Sequence, residues 1–234
     1  MNAVDLKRHR EAMGLALILD MDGLMLDTEP IALRAVKQAS HELGYAFPDD
    51  VFERMIGLSA QGGRDVLRHH FGDTFPAETL GTLAATRYQE YLDVGGVPHK
   101  PGLEDFLQFI DARRIPRAVA TSTATDLATL LLRQAGVAHY FEIVVGGDQV
   151  SRGKPEPDIF LVAAERLGHR PVDCAVLEDS GPGIQAAAAA GMKSILIPDR
   201  RVLSRDIRSS AHAIAESLSD AKRIVEGLLD ERAN

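Results

Sequence analysis

Four short stretches carry residue types that could act together on a charged ligand. Asp20-Met21-Asp22-Gly23 ends an apolar run that begins at Gly14, and Glu178-Asp179-Ser180-Gly181 ends another that begins at Val172. Carboxylates gathered at this density repel one another and resist ionising unless a cation neutralises them. Hard oxygen donors favour Mg2+, which takes one or two carboxylates and leaves room for water and substrate phosphate. Thr121-Ser122-Thr123 offers hydroxyls and main-chain N–H groups where a helix begins, a setting that holds anions. Lys154 sits in the proline-stiffened stretch Gly153-Lys154-Pro155-Glu156-Pro157-Asp158. Alone, each has an ordinary explanation, since acids and hydroxyls cap helices and most lysines are solvated. Together and in this order they describe a phosphoryl-transfer site.

These groups cooperate only if the fold carries them to one crevice. Residues 14–20 form a nearly continuous apolar run, the pattern of a strand buried on both faces of a parallel sheet. Similar runs predict strands over Ile115–Thr121, Phe141–Gly146, Val172–Glu178 and Lys193–Pro198. Helical spacing predicts helices over Asp126–Gln134, Asp158–Leu167 and Gly183–Ala190, each with a glycine just beyond it, and a closing helix over Ala215–Leu229. Strands alternating with helices imply right-handed crossovers and an α/β fold, a Rossmann-like three-layer core around a parallel sheet. In such sheets ligands bind beyond the carboxyl ends of the strands, where both acidic pairs fall. Residues 28–95 break the alternation. Pro30–Leu43, Asp49–Met55, Gly63–His70 and Ala77–Leu92 read as helices with no strand between them. The expected organisation is a core of residues 1–27 and 96–234 with an inserted all-helical cap of residues 28–95.

Four motifs in chain order carry a family resemblance. The stretch from Asp20 through Asp22 to Asp27, then Thr121 with its neighbours, Lys154, and Leu177-Glu178-Asp179 resemble the haloacid dehalogenase-like (HAD) hydrolases, over Leu15 to about Asp199. The insert is similar to the helical-cap subclass that holds β-phosphoglucomutase and small sugar-phosphate phosphatases. The resemblance implies that Asp20 attacks phosphorus to form an aspartyl-phosphate. It implies that Asp22 protonates the leaving oxygen and then deprotonates water. It also implies a Mg2+ cofactor held by Asp20, the main-chain carbonyl of Asp22 and Asp179, with Glu178 as an added or outer partner. Thr121, Ser122 and Lys154 would hold the transferring phosphoryl group, and Lys154 would steady Asp20. The aspartate at position 22 separates this chain from the superfamily's dehalogenases and phosphonatases and favours P–O chemistry.

Hydrolysis and isomerisation both stand open. β-Phosphoglucomutase-like chains carry a histidine five residues past the last aspartate of the first motif, and an arginine after the cap's Gly-x-Ser. Here those places hold Ala32 and Ala60. The favoured reading is a phosphomonoesterase acting on a small phosphorylated metabolite, with a hexose or pentose phosphate as the leading class. A phosphomutase is the alternative, and a catalytically silent binding protein on the same fold is the third. Glu29, Ser59, Gln61, Arg64 and Arg87 are the polar cap residues expected to meet the substrate. His69 and His70 are adjacent on a helix and do not share a face, so they make no metal pair. Cys174 lies in an apolar strand and reads as inert packing.

Composition narrows the field further. At 234 residues, with 45% hydrophobic and 26% charged, the chain can bury a sizeable core. A net charge of −8, 5% aromatics and no tryptophan argue against a nucleic-acid partner. One cysteine cannot form an internal disulfide. No stretch approaches the roughly 18 apolar residues of a membrane span, and residues 1–11 lack an apolar signal-peptide core. A cytoplasmic monomer or weak homo-oligomer is therefore expected. Residues 1–13 fit no element, and Arg200, Arg201 and Arg205 read as a solvated basic patch.

Overall fold

Apolar runs that do not alternate become strands when helices cover both faces of a sheet. The computed structural model, which describes residues 14–199 and 203–233, has this arrangement. Residues 1–13 and the pair Arg200 and Arg201 lie outside the described residues. Strand β1 (Ala16–Leu19) is buried at every position. It lies between β2 (Arg117–Ala120) and β4 (Cys174–Glu178), with Leu19 opposite Val119 on one side and Leu177 on the other. With β3 (Val144–Val145), β5 (Lys193–Leu196) and β6 (Ala213–Ile214), they form a six-stranded parallel sheet of order β3-β2-β1-β4-β5-β6. The chain winds outward from β1 in one direction and from β4 in the other. The ends of β1 and β4 therefore flank the topological switch point, where such sheets bind ligands.

Four helices follow β1: α1 (Glu29–Glu42), α2 (Asp49–Met55), α3 (Ala60–Phe71) and α4 (Ala77–Gly95). The rest are α5 (Leu103–Ala112), α6 (Thr125–Gln134), α7 (Asp158–Leu167), α8 (Gly181–Ala189), α9 (Arg205–Ser210) and α10 (Leu218–Ala233). Alternate side chains of β1 serve the two faces of the sheet. Leu17 and Leu19 pack in one cluster with Phe106 and Ile110 of α5, Leu131 of α6 and Val225 of α10. Ala16 and Ile18 pack in another with Phe160 and Ala163 of α7 and Ala186 of α8.

The five expected strands all form, trimmed at their ends where the chain leaves the ladder. Three elements add to the expectation: α5, α9 and β6. Helix α8 starts at Gly181, earlier than the glycine at 183, because the Ser180 hydroxyl accepts a hydrogen bond from the Gly183 amide at 3.1 Å and Pro182 sits in the first turn. Between α1 and α4 there is no strand among the described residues, and these helices bury an apolar cluster of their own that includes Ala39, Phe47, Val51, Leu67 and Leu80. The chain leaves and re-enters the sheet layer along paired segments. The Asp27 amide bonds to Pro98 O at 2.8 Å and the Lys100 amide to Met25 O at 2.9 Å. No helix among the described residues is long and apolar enough to cross a membrane.

Candidate active site

Asp20 follows β1 directly and is 6% exposed. Its Oδ1 accepts a hydrogen bond from Lys154 Nζ, which also bonds Glu178 Oε1 at 2.6 Å and Ala120 O at 3.4 Å. Lys154 and Glu178 are 3% and 0% exposed, so these charges face each other away from water. The second oxygen of Glu178 accepts from the Ser180 amide at 2.7 Å and its hydroxyl at 2.9 Å. Both Glu178 oxygens are thus engaged inside the protein, and Gly183 is needed above it because a methyl group there would overlap the carboxylate. Of the two arrangements open to Glu178, its contacts favour the outer one: it positions Lys154.

Burial pushes the Asp20 carboxyl up to about 8; Lys154 pulls against this, while the charges of Glu178 and Asp22 add to it. Burial alone would depress the Lys154 ammonium, but Asp20 and Glu178 outweigh it and hold the ammonium above its usual range. Asp179, 6% exposed, is raised well above the carboxylate range by burial and by the charges of Glu178, Asp20 and Glu29.

Asp22 leaves the strand and meets three hydroxyls. Thr28 Oγ1 donates to its Oδ1 at 2.7 Å, while Thr123 and Thr121 donate to its Oδ2 at 2.8 and 3.2 Å. The turn after it depends on Gly23 at φ +84°, where a side chain would be strained and a Cβ would strike the Asp179 carboxylate. The main chain beside Asp22 is thereby brought against Asp179.

Whether the site suits a cation follows from its donors. Asp20 and Glu178 pair with the Lys154 ammonium, while Asp22 adds its charge beside Asp20 and Glu29 adds its charge beside Asp179. Among the described residues no three His, Cys, Asp or Glu side chains converge as a metal cage. Two crowded carboxylates with oxygen donors from main chain, water and substrate are what Mg2+ needs, so the residues fit.

A cavity of about 660 Å3 lies over these groups, between the sheet ends and α1–α4. Of the expected residues, Asp20, Asp22, Thr121, Ser122, Asp179 and Glu29 line it. Ser122 also donates to Gly57 O at 3.3 Å, joining the loop before α3 to the loop after β2. Four of the cap candidates, Ser59, Gln61, Arg64 and Arg87, fall outside the lining. The Ser59 hydroxyl caps α3 by accepting from the Gly62 amide at 3.2 Å. Arg64 donates to Gln61 Oε1 at 2.6 Å, and Gln61 in turn bonds Asp65. Arg87 is spent on Glu42 and Glu90, at 2.9 Å each. Its neighbour Tyr88 lines the cavity instead, with its hydroxyl bonded to Thr28 and its pKa raised by burial and by Asp22. Thr28 and Tyr88 are the residues that the sequence did not single out, whereas Thr123 belongs to the hydroxyl-bearing stretch read there. Thr28 directly follows the last aspartate of the first motif, and that adjacency is its only signal in the sequence.

The profile of the haloacid dehalogenase-like hydrolases matches residues 15–191. The chain belongs to this family. A phosphorylated carbohydrates phosphatase of Thermotoga maritima is 31% identical to this HAD hydrolase over 213 residues, 90% of each chain. The fructose-1-phosphate phosphatase YqaB of Escherichia coli is 35% identical over 184 residues, 76% of this chain and 94% of its own. A solved HAD family hydrolase from Deinococcus radiodurans R1, with bound phosphate and sodium, has a TM-score of 0.72 at 26% identity, over 93% of this chain and 98% of that one. This HAD hydrolase is a phosphoric monoester hydrolase.

Proposed function

We propose that the chain is a Mg2+-dependent phosphatase that hydrolyses a small phosphorylated metabolite, a sugar phosphate or a compound built on one, through an aspartyl-phosphate at Asp20. The observation that carries this reading is the pairing of Asp20, fixed on Lys154 at the switch point, with Asp22 two residues on and oriented by three hydroxyls. In the first step an Asp20 oxygen attacks phosphorus and the P–O bond to the leaving alcohol breaks. Asp22, protonated, gives its proton to the departing oxygen. In the second step Asp22, now a carboxylate, takes a proton from water as that water attacks the phosphoaspartate, releasing phosphate and restoring Asp20. A bound Mg2+, held by Asp20, Asp179 and main-chain oxygen, would offset the carboxylate charge and polarise the phosphoryl oxygens. Thr121 and Ser122 line the place where the phosphoryl group would sit, and Lys154 fixes the nucleophile.

The names of the relatives, a phosphatase of phosphorylated carbohydrates and one of fructose 1-phosphate, support the sugar-phosphate class. Hydrolysis is preferred to isomerisation because positions 32 and 60 do line the cavity and hold alanines. One buried cysteine, without a partner for a disulfide, suits a reducing cytoplasmic setting. We read the working unit as a monomer or weak homo-oligomer. The test is phosphate release across sugar phosphates, nucleotides and other phosphomonoesters, with Mg2+ and with chelator. Metal-dependent release is expected. Silence on every ester, restored as an isomerised product by a sugar bisphosphate, would assign the chain to the mutases.

A further inference from the structure

The cavity divides sharply by chemistry. Its polar floor holds Asp20, Asp22, Asp179 and the hydroxyls of Thr28, Thr121 and Ser122. Most of the remaining lining is apolar: Val36 of α1, Phe52 and Met55 of α2, Leu58, and Leu127 of α6, with Tyr88 and the amide of Gln89 from α4 beside them. The charged residues of the lining are Asp20, Asp22, Glu29 and Asp179, all acids, and no Lys, Arg or His lines it among the described residues. The two cap arginines expected at the substrate have other partners, Arg64 on Gln61 and Arg87 on Glu42 and Glu90. The volume, about 660 Å3, lies mid-range for pockets that enclose drug-sized ligands, roughly 300–1,000 Å3.

Such a wall sets terms for the leaving group. A second phosphate would be buried without a cation, and a carboxylate would meet four acids. Hydroxyls along a bare polyol would lose water against carbon and find few partners there. A flat, uncharged ring would bury its face against Phe52, Tyr88 and the Met55 thioether, contacts that aromatic and sulfur-bearing side chains make well. Resting on the phosphatase reading above, we infer that the substrate is a monophosphate whose phosphorylated sugar or sugar alcohol carries a neutral planar ring, the ring lying in the apolar pocket under α1, α2 and α4.

Matched pairs isolate the ring. Ribose 5-phosphate against uridine 5′-monophosphate, and ribitol 5-phosphate against FMN, each differ by the ring that one member carries. Measured as kcat/KM for phosphate release with Mg2+, at least one ring-bearing member should exceed its ring-free partner by tenfold or more. Fructose 1,6-bisphosphate and 2-phosphoglycolate should rank lowest. Phe52→Ala should narrow the ratio, raising KM for the ring-bearing ester more than for its partner. Release from the ring-free esters at equal or higher kcat/KM in both pairs would overturn the inference while leaving the phosphatase reading intact. No release from any ester would defeat both.

Discussion

Lys154 is the cation that pairs Asp20 and Glu178, and removing it leaves those two acids without a counter-charge in a buried setting. Lys154→Met should cost about 3–5 kcal/mol of stability in chemical denaturation as well as activity, because an uncompensated buried charge is among the costliest defects. Asp22 meets no cation: its two oxygens accept from three hydroxyls that fix its aim. Thr123→Val removes one of them, and kcat should fall by roughly tenfold with KM little changed, since the general acid is kept but less well aimed. The two aspartates, the lysine and Asp179 were legible in the sequence because each terminates an apolar run or interrupts a proline-stiffened turn. The division of labour between Glu178 and Asp179 was not, because adjacent acids leave a strand on opposite sides and only the packing says which side holds Lys154. The cap shows the same limit. Neighbouring helix residues point about 100° apart, so the phase of α4 decides that Tyr88, not Arg87, meets the cavity.

At the scale of elements, one glycine does work that an ordinary side chain would undo. Gly183 opens α8 directly over the Glu178 carboxylate. Gly183→Ala should displace that carboxylate from Lys154 and Ser180, lowering both turnover and stability, the latter by about 1–3 kcal/mol. Far from the cavity, α10 is tied back by Arg232, which donates to Asp173 Oδ1 at 2.8 Å, while Arg170 donates to Oδ2 at 2.6 Å. The Arg170 hydrogen bond holds the Asp173 carboxyl below its usual range, burial opposes this, and Arg232 acts in the same sense as Arg170. A depressed pKa contributes stability above the unfolded carboxylate pKa, and that contribution fades as pH falls through the folded value. Asp173→Asn should therefore cost about 1–2 kcal/mol at neutral pH, and the difference from wild type should shrink as pH falls below the ordinary aspartate range. Most elements were legible from unbroken apolar runs and stop glycines. Helix α5 was not, although Leu103, Phe106, Leu107 and Ile110 are buried at helical spacing, because it follows the turn signal at Pro101 and Gly102 without a pause. Strand β6 has two residues, too few for any periodicity to register.

The molecule as a whole is a switch-point crevice roofed by helices, and its two parts address different halves of a substrate. The sheet ends supply most of the charge and hydroxyls, and the roof supplies mostly carbon, with Glu29, Tyr88 and Gln89 as its polar members. This separation explains why the chemistry could be anticipated from short motifs while the leaving group could not: motif residues are fixed by strand ends, whereas the roof is set by how four helices turn against one another. The central proposal is that Asp20 is the attacking group. That claim is tested most directly by comparing Mg2+-dependent phosphate release by the wild-type protein and by Asp20→Asn, matched for folding by circular dichroism. An amide cannot attack phosphorus, so the variant should retain less than about one part in a thousand of wild-type turnover while staying folded. Retention of a tenth of the activity in a clean preparation would contradict the account.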